Sequence, residues 1–333
     1  MKIFEKKIRH HYVWAHYLKE WTTDGMNIHY ITKRGNTACD SVRGLGFEKD
    51  FYKMGMLRED DRELIMMITK DCDDVLKKLH WNFVEMIFNA QKAFKKIAPT
   101  AQEKIGLNLN ELISSNLFEN YLSQQESHAI ATLNSLKSGD TSYLENEESY
   151  HEFCYFLGYQ MARTIKMKKL LILTLEATNG PKDVVTRLKD FYERNWWFMC
   201  SFMATNLSYD MSLNNNRRIH LIKNTTSIDF ITSDQPIINL NPEGYNGDSV
   251  DYYYPISPRK ALLILTSNHV YFDHLNINER DVAMLNNKIT YDSCETIFGK
   301  RETDLLSNKK IFLSRNYLLF TKKNKVAMKS SLS

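Results

Sequence analysis

The spacing of apolar residues along this chain of 333 changes twice. From about Asp60 to Asn206 they recur every three or four positions, which is one face of an α-helix. On either side they alternate or come in short β-branched and aromatic runs, which is how strands are written. A long helical middle between two β-rich ends points to an α+β fold.

Within the middle, Leu64, Ile65, Ile68, Cys72, Val75, Leu76, Leu79, Phe83, Met86 and Ile87 predict one long helix or two consecutive ones, stopped by Pro99. Further helices are expected over Asn108 to Leu136, Ser149 to Leu175 and Lys182 to Asn206, a bundle of four or five members. Met26 to Thr32 reads as a strand, and the glycine-bearing stretch after it, to Phe51-Tyr52, as a loop. Past Asn214, strands are predicted over Ile219 to Ile222, Ser227 to Thr232, Asp251 to Ile256 and Lys260 to Thr266. One helix follows from Asn278 to about Tyr291, then a last strand over Lys310 to Thr321 and a frayed tail from Lys322.

No repeat, linker or composition break divides the chain. A single domain over 1–330 is therefore expected, with a β/loop part at 1–58, a helical part at 59–210 and a β-rich part at 211–330. The helical bundle would be an insertion between N-terminal and C-terminal β segments that share one sheet.

Bulk chemistry excludes several classes. A net charge of +4 from 44 basic and 40 acidic residues makes no global field for nucleic acid. Cys39, Cys72, Cys154, Cys200 and Cys294 are odd in number and form no CxxC pair, against a disulfide framework or a structural zinc. No apolar run follows Met1 to Lys7 and none is long enough for a membrane span, so a cytoplasmic protein is expected. Phosphate-binding P-loops, GxGxxG turns, GxSxG elbows and HExxH pairs are missing, which removes P-loop ATPases, dinucleotide dehydrogenases, α/β-hydrolases and zinc hydrolases.

Three separated segments carry the candidate chemistry. Phe230-Ile-Thr-Ser-Asp-Gln-Pro236 is a strand running into a turn, with Thr232, Ser233 and Asp234 where the polar residues begin. Asp234 there could serve as a base or metal ligand, or fold back on its own backbone as an Asx turn. Gln160 lies in the middle of the apolar stripe Phe153, Leu157, Thr164, Met167, Leu171, with Arg163 flanking it. A buried Gln-Arg pair bracing loops would satisfy that pattern, as would a polar cavity in which Arg163 takes a carboxylate or phosphate in fork geometry. His10 and His11 are neighbours, so one is expected to brace the fold while the other faces the site. Glu126, near His128, is a further candidate acid, though a solvated helix face explains it as well.

Taken in order, His10-His11-Tyr12-Val13 with Tyr17-Leu18, Gln160-x-x-Arg163-Thr164, Thr232-Ser233-Asp234-x-Pro236 and Pro255-x-Ser257-Pro258-Arg259 make the chain resemble the DUF4238 family of bacterial proteins of unknown function. Trp14 stands where that family usually has proline. The resemblance implies a shared fold and a shared polar site, and brings no reaction with it.

The residues suit an enzyme in which His10 or His11 is general acid/base, Asp234 its orienter or a metal ligand, and Arg163 with Gln160 an anion clamp, Thr232 and Ser233 completing the substrate site. Phosphodiester chemistry fits best: a nuclease-like or nucleotide-directed hydrolase, metal-dependent (Mg²⁺ or Mn²⁺) or His-based, in the setting of a bacterial toxin or phage-defence effector. The alternative is a module that binds nucleic acid or another ligand without turnover. It would use the Trp196-Trp197 helix and the lysines Lys166, Lys168, Lys169, Lys309 and Lys310.

Overall fold

The computed structural model describes residues 5–105, 108–213, 217–241, 249–273 and 276–314. The expected tail from Lys322 and most of the expected last strand lie outside the described residues. The part of that strand that is described, 310–314, is the end of a helix over 302–314.

The N-terminal part supplies four short strands, β1 (Arg9–His11), β2 (Asn27–Thr32), β3 (Thr37–Ser41) and β4 (Phe47–Lys49), with helix α1 (Ala15–Leu18) after the first. The expected loop after β2 therefore contains two strands. The helical part holds α2 (Glu59–Thr69), α3 (Asp74–Ile105), α4 (Leu109–Ser138), α5 (Glu147–Ala162), α6 (Ile165–Glu176), α7 (Lys182–Arg194) and α8 (Trp196–Leu213). The C-terminal part adds β5 (Arg218–Lys223), β6 (Thr232–Ser233), β7 (Ile238–Asn239), β8 (Tyr252–Ser257), β9 (Lys260–Leu265), α9 (Glu279–Asp292) and β10 (Thr296–Gly299).

All strand pairing among the described residues is antiparallel. One sheet has the order β3-β2-β10-β6, with Ile31 opposite Ile297 and Ile297 opposite Ser233. The first and last parts of the chain thus share a sheet, and the helices are inserted between them. A second four-stranded sheet, β5-β9-β8-β7, is built from the C-terminal part alone. In the third, β1 pairs with β4, His10 opposite Glu48 and His11 opposite Phe47.

Several helices are shorter than their periodicity suggests. The stripe over Ser149 to Leu175 breaks at Arg163–Thr164. There the Thr164 hydroxyl caps α6 by accepting from Met167 N at 3.3 Å, satisfying a donor that the first turn leaves free. The stripe over Lys182 to Asn206 breaks at Asn195. Pro99, by contrast, does not end α3. Its ring sits on an exposed turn, where water can take the carbonyl that it deprives of a partner. Phe230 and Ile231, expected in a strand, are not paired as one. Asn286 stands in for a neighbouring strand there, accepting from Ile231 N at 3.0 Å and donating to Asp229 O at 2.9 Å.

The helix α5 is the hub. Its Phe153, Phe156, Leu157 and Tyr159 are buried with Trp197, Phe198 and Phe118. Each such side chain contributes roughly 1.5–3 kcal/mol of transfer free energy. At Gly158 the axes of α5 and α8 come so close that a Cβ would lie 2.5 Å from Ala204 O, so only glycine fits. Packing this tight fixes where the end of α5, and hence Arg163, is presented. Among the described residues no helix is long and apolar enough to cross a membrane, and all five cysteines are free thiols.

Candidate functional site

Helix α5 ends in the interior. Arg163 caps its C-terminus, with φ −80° and ψ 6°, and is 1% exposed. Its carbonyl accepts from the Tyr52 hydroxyl at 2.7 Å, and Thr164 beside it donates to Gln235 Oε1 at 2.5 Å. The backbone that carries the guanidinium is thereby held by the N-terminal part and by the turn after β6.

The guanidinium itself is only partly engaged. Its Nη1 meets Glu126 Oε1 at 2.6 Å, while Nε and Nη2 are buried without a partner. Those two N–H groups lie along one edge of the planar fork, the edge that binds a carboxylate or phosphate in two parallel bonds. Gln160, one helical turn earlier and 1% exposed, has neither amide atom bonded. Tyr254 Oη, Glu119 Oε2 and His11 Nε2 are likewise buried and unpartnered. Native interiors rarely leave buried polar atoms unpaired, because each costs about 1–3 kcal/mol. Here several belong to residues coupled to one another by charge.

Electrostatics shows that coupling. Burial raises Glu119 to about 7, and the nearby Glu126 carboxylate adds to the rise while Arg163 opposes it. Burial likewise raises Glu126 against the pull of Arg163. His11 is lowered, first by burial and then by the positive charge of Arg163, so its imidazole is neutral near pH 7. Burial works to lower Arg163, but Glu126 and Tyr52 hold it above its usual value, so it stays charged. His11 Nδ1 lies 3.9 Å from Glu119 Oε1, and the imidazole is 25% exposed although its Nε2 is buried.

The sequence candidates separate into two sets. His11, Arg163 and Glu126 belong to this charged cluster, with Gln160 one helical turn from Arg163, so Glu126 is buried rather than on a solvated face. His10 does not join them. Its Nδ1 accepts from Tyr52 N at 2.8 Å, and its Nε2 faces Lys7 O at 3.1 Å. An imidazole with Nδ1 as acceptor carries its proton on Nε2, and the ring stacks on Tyr52. With its one basic nitrogen used, His10 braces the fold.

Asp234 is also a brace. Its carboxylate accepts from Cys294 N at 2.7 Å, Glu295 N at 2.5 Å and Thr296 N at 3.2 Å, seating the start of β10. Burial lifts it to about 6 while those three N–H groups pull it down. Thr232 bonds the Tyr17 hydroxyl at 2.7 Å, and Ser233 closes the turn onto Gln235. Asp234, expected to orient a base or ligate a metal, and Thr232 and Ser233, expected to contact a ligand, are engaged within the fold instead.

Glu119 is the site residue that the sequence did not reveal. It precedes Glu126 on α4 by two helical turns, so the pair of carboxylates on one face was the available signal. The Trp196-Trp197 surface is absent as well, since both rings are buried. Lys166 pairs with Asp292, Lys169 with Glu295, and Lys168 lies over the Phe51 and Trp196 rings. Among the described residues no group of three His, Cys, Asp or Glu side chains is arranged to hold a metal ion. The Arg163 guanidinium occupies the place beside Glu126 that a cation would need, so this donor set does not fit Mg²⁺ or Mn²⁺.

The model of the DUF4238 family, described as proteins of unknown function, matches residues 9–303. The chain belongs to the DUF4238 family. The matched stretch runs from the strand that carries His11, through the α4 and α5 segments that carry Glu119, Glu126, Gln160 and Arg163, to β10. All the side chains of the cluster therefore lie within the DUF4238 region. No curated protein and no solved structure matches the chain.

Proposed function

We propose that the protein is a metal-independent hydrolase of phosphate esters, nucleotide phosphodiesters included, with His11 as general base and Arg163 as phosphoryl clamp. The observation that carries this reading is the free Nε/Nη2 edge of a fully buried guanidinium beside a neutral, part-exposed imidazole. Glu119 takes the orienting role. A hydrogen bond from His11 Nδ1 to Glu119 leaves Nε2 as the basic nitrogen. The present separation, 3.9 Å, is of the kind that shortens when substrate binds.

In the reaction, water's oxygen forms a bond to phosphorus as the ester P–O bond breaks. The water proton passes to His11 Nε2, and the leaving oxygen takes a proton from solvent. The Arg163 edge and the Gln160 amide hold the non-bridging oxygens, where charge accumulates in the transition state. Free cysteines suit a reducing compartment such as the cytoplasm. A role in toxicity or phage defence would be consistent with nucleotide hydrolysis.

Enclosure favours a second reading. Arg163 and Gln160 are each 1% exposed, and a site so deep suits a retained oxyanion as well as a turned-over one. The protein would then be a ligand-binding module.

Incubation with a nitrophenyl phosphodiester, a nitrophenyl monoester, and single- and double-stranded RNA and DNA, with and without Mg²⁺ or Mn²⁺, tests the two. Cleavage that needs no metal, lost at least about 100-fold in His11→Ala and Arg163→Lys, supports the hydrolase. Activity should rise with pH through a value below 6.5, because His11 must be neutral to act and its proton affinity is lowered. Binding of phosphate without cleavage of any substrate supports the module. Cleavage that survives both substitutions would overturn the assignment of the site.

A further inference from the structure

A second buried guanidinium lies near the opposite end of α5, toward Tyr150 rather than Arg163. Arg217 sits between α8 and β5 with its side chain only 2% exposed. Its Nη2 donates to Asp210 at 2.7 Å, while Nε and Nη1 are buried and unpartnered. Arg217 lines a cavity of about 390 Å³ together with Thr141, Leu144, Glu145, Tyr150, Ser212 and Ile219. The Glu145 carboxylate forms no hydrogen bond or ion pair with any described residue, and it does not pair with Arg217.

One cavity thus presents a cation with two spare N–H donors, a separate unpaired carboxylate, three hydroxyls (Thr141, Tyr150 and Ser212, the last two bonded to backbone carbonyls) and an apolar wall of Leu144 and Ile219. A simple anion would satisfy Arg217 but would face the negative charge of Glu145. A simple amine would satisfy Glu145 and leave a buried guanidinium half-bonded, which is costly. A molecule that carries both charges answers both groups.

We propose that this cavity binds a zwitterionic α-amino acid with a small apolar side chain. Its carboxylate meets Arg217, its ammonium group meets Glu145, and its side chain rests on Leu144 and Ile219. The volume stands at the lower end of the range for small-molecule sites and has room for such a ligand. Tyr150 and Arg163 stand near opposite ends of α5. At a helical rise of about 1.5 Å per residue they are roughly 20 Å apart, so the proposal is independent of the phosphate-ester reading.

Calorimetric titration of the full chain with L-valine, isovalerate, isobutylamine and inorganic phosphate tests it. Valine should bind at least about tenfold more tightly than either half-molecule, which lacks one of the two charge contacts. Glu145→Gln should weaken valine by about tenfold or more while isovalerate, freed of the like charge, binds no more weakly than before, whereas Arg217→Lys should weaken both. Glu145 is exposed, so its variant is expected to keep the fold even if substitution of Arg217 does not. No heat from valine, phosphate bound as tightly as valine, or valine binding unmoved by Glu145→Gln would each overturn the proposal.

Discussion

Asp234 and Arg163 are both charged and buried, at 0% and 1% exposure, but their surroundings differ in kind. Around Asp234 three peptide N–H groups converge on one carboxylate, and the start of β10 depends on them. Around Arg163 a single contact to Glu126 is made, while the fork edge, the Gln160 amide and the Tyr254 hydroxyl remain unbonded. A buried polar group with complete partners is explained by the fold. One without them costs free energy that the fold does not recover, and such groups concentrate where a ligand supplies the missing bonds. Both regions are buried and both are charged, and what distinguishes them is that the bonding is taken up by the fold at Asp234 and left open on several neighbouring groups at Arg163.

The largest expected effect that could break this contrast is on stability. Asp234→Ala strands one buried and two part-buried N–H groups and should cost about 3 kcal/mol. Urea denaturation would show it, and a midpoint close to wild type would remove Asp234 from the scaffold. The adjacent histidines sharpen the contrast. His10→Ala deletes the partner of Tyr52 N. Its loss should cost about 2 kcal/mol, whereas His11→Ala should cost under about 1 kcal/mol. Equal losses from the two would erase the distinction between brace and base.

Glu119 provides a subtler test through pH. Its proton affinity in the folded chain, about 7, lies above the ordinary 4.5, so the folded state holds more protons between those values. Stability from this group is full below the ordinary value and is lost as pH rises through the raised one. Glu119→Gln should flatten that decline and leave the variant more stable than wild type at pH 8, by an amount on the order of 2 kcal/mol. A parallel pH–stability profile in the variant would place the carboxylate in water.

The sequence made the architecture legible where periodicity was strong. The helical middle, the strands now called β2, β5, β8 and β9, and the sharing of a sheet between chain ends were all readable. Boundaries set by single side chains were not, because Thr164 ends one helix by capping the next and Asn286 replaces a strand by hydrogen bonding across 55 positions. For the candidate site, residue type singled out His11, Gln160 and Arg163, which the structure places in or next to one buried charged cluster. It could not tell His10 from His11, or show that Asp234 was saturated, since both facts depend on backbone groups 42 to 62 positions away. Glu119 was hidden for the complementary reason: nothing in a glutamate's neighbours along α4 reports that His11 from the N-terminal strand will pack on it.

The most direct measurement of the Arg163 cluster is a calorimetric titration of inorganic phosphate into wild type and Arg163→Lys at matched ionic strength, with thermal melting of both. A lysine keeps the positive charge beside Glu126 but cannot offer two parallel N–H groups. The expected result is saturable one-site binding to wild type, weakened about 100-fold in the variant, with melting temperatures in the absence of phosphate within a few degrees. Equal binding to both proteins, or no binding to wild type, would contradict an oxyanion site at the free edge of Arg163.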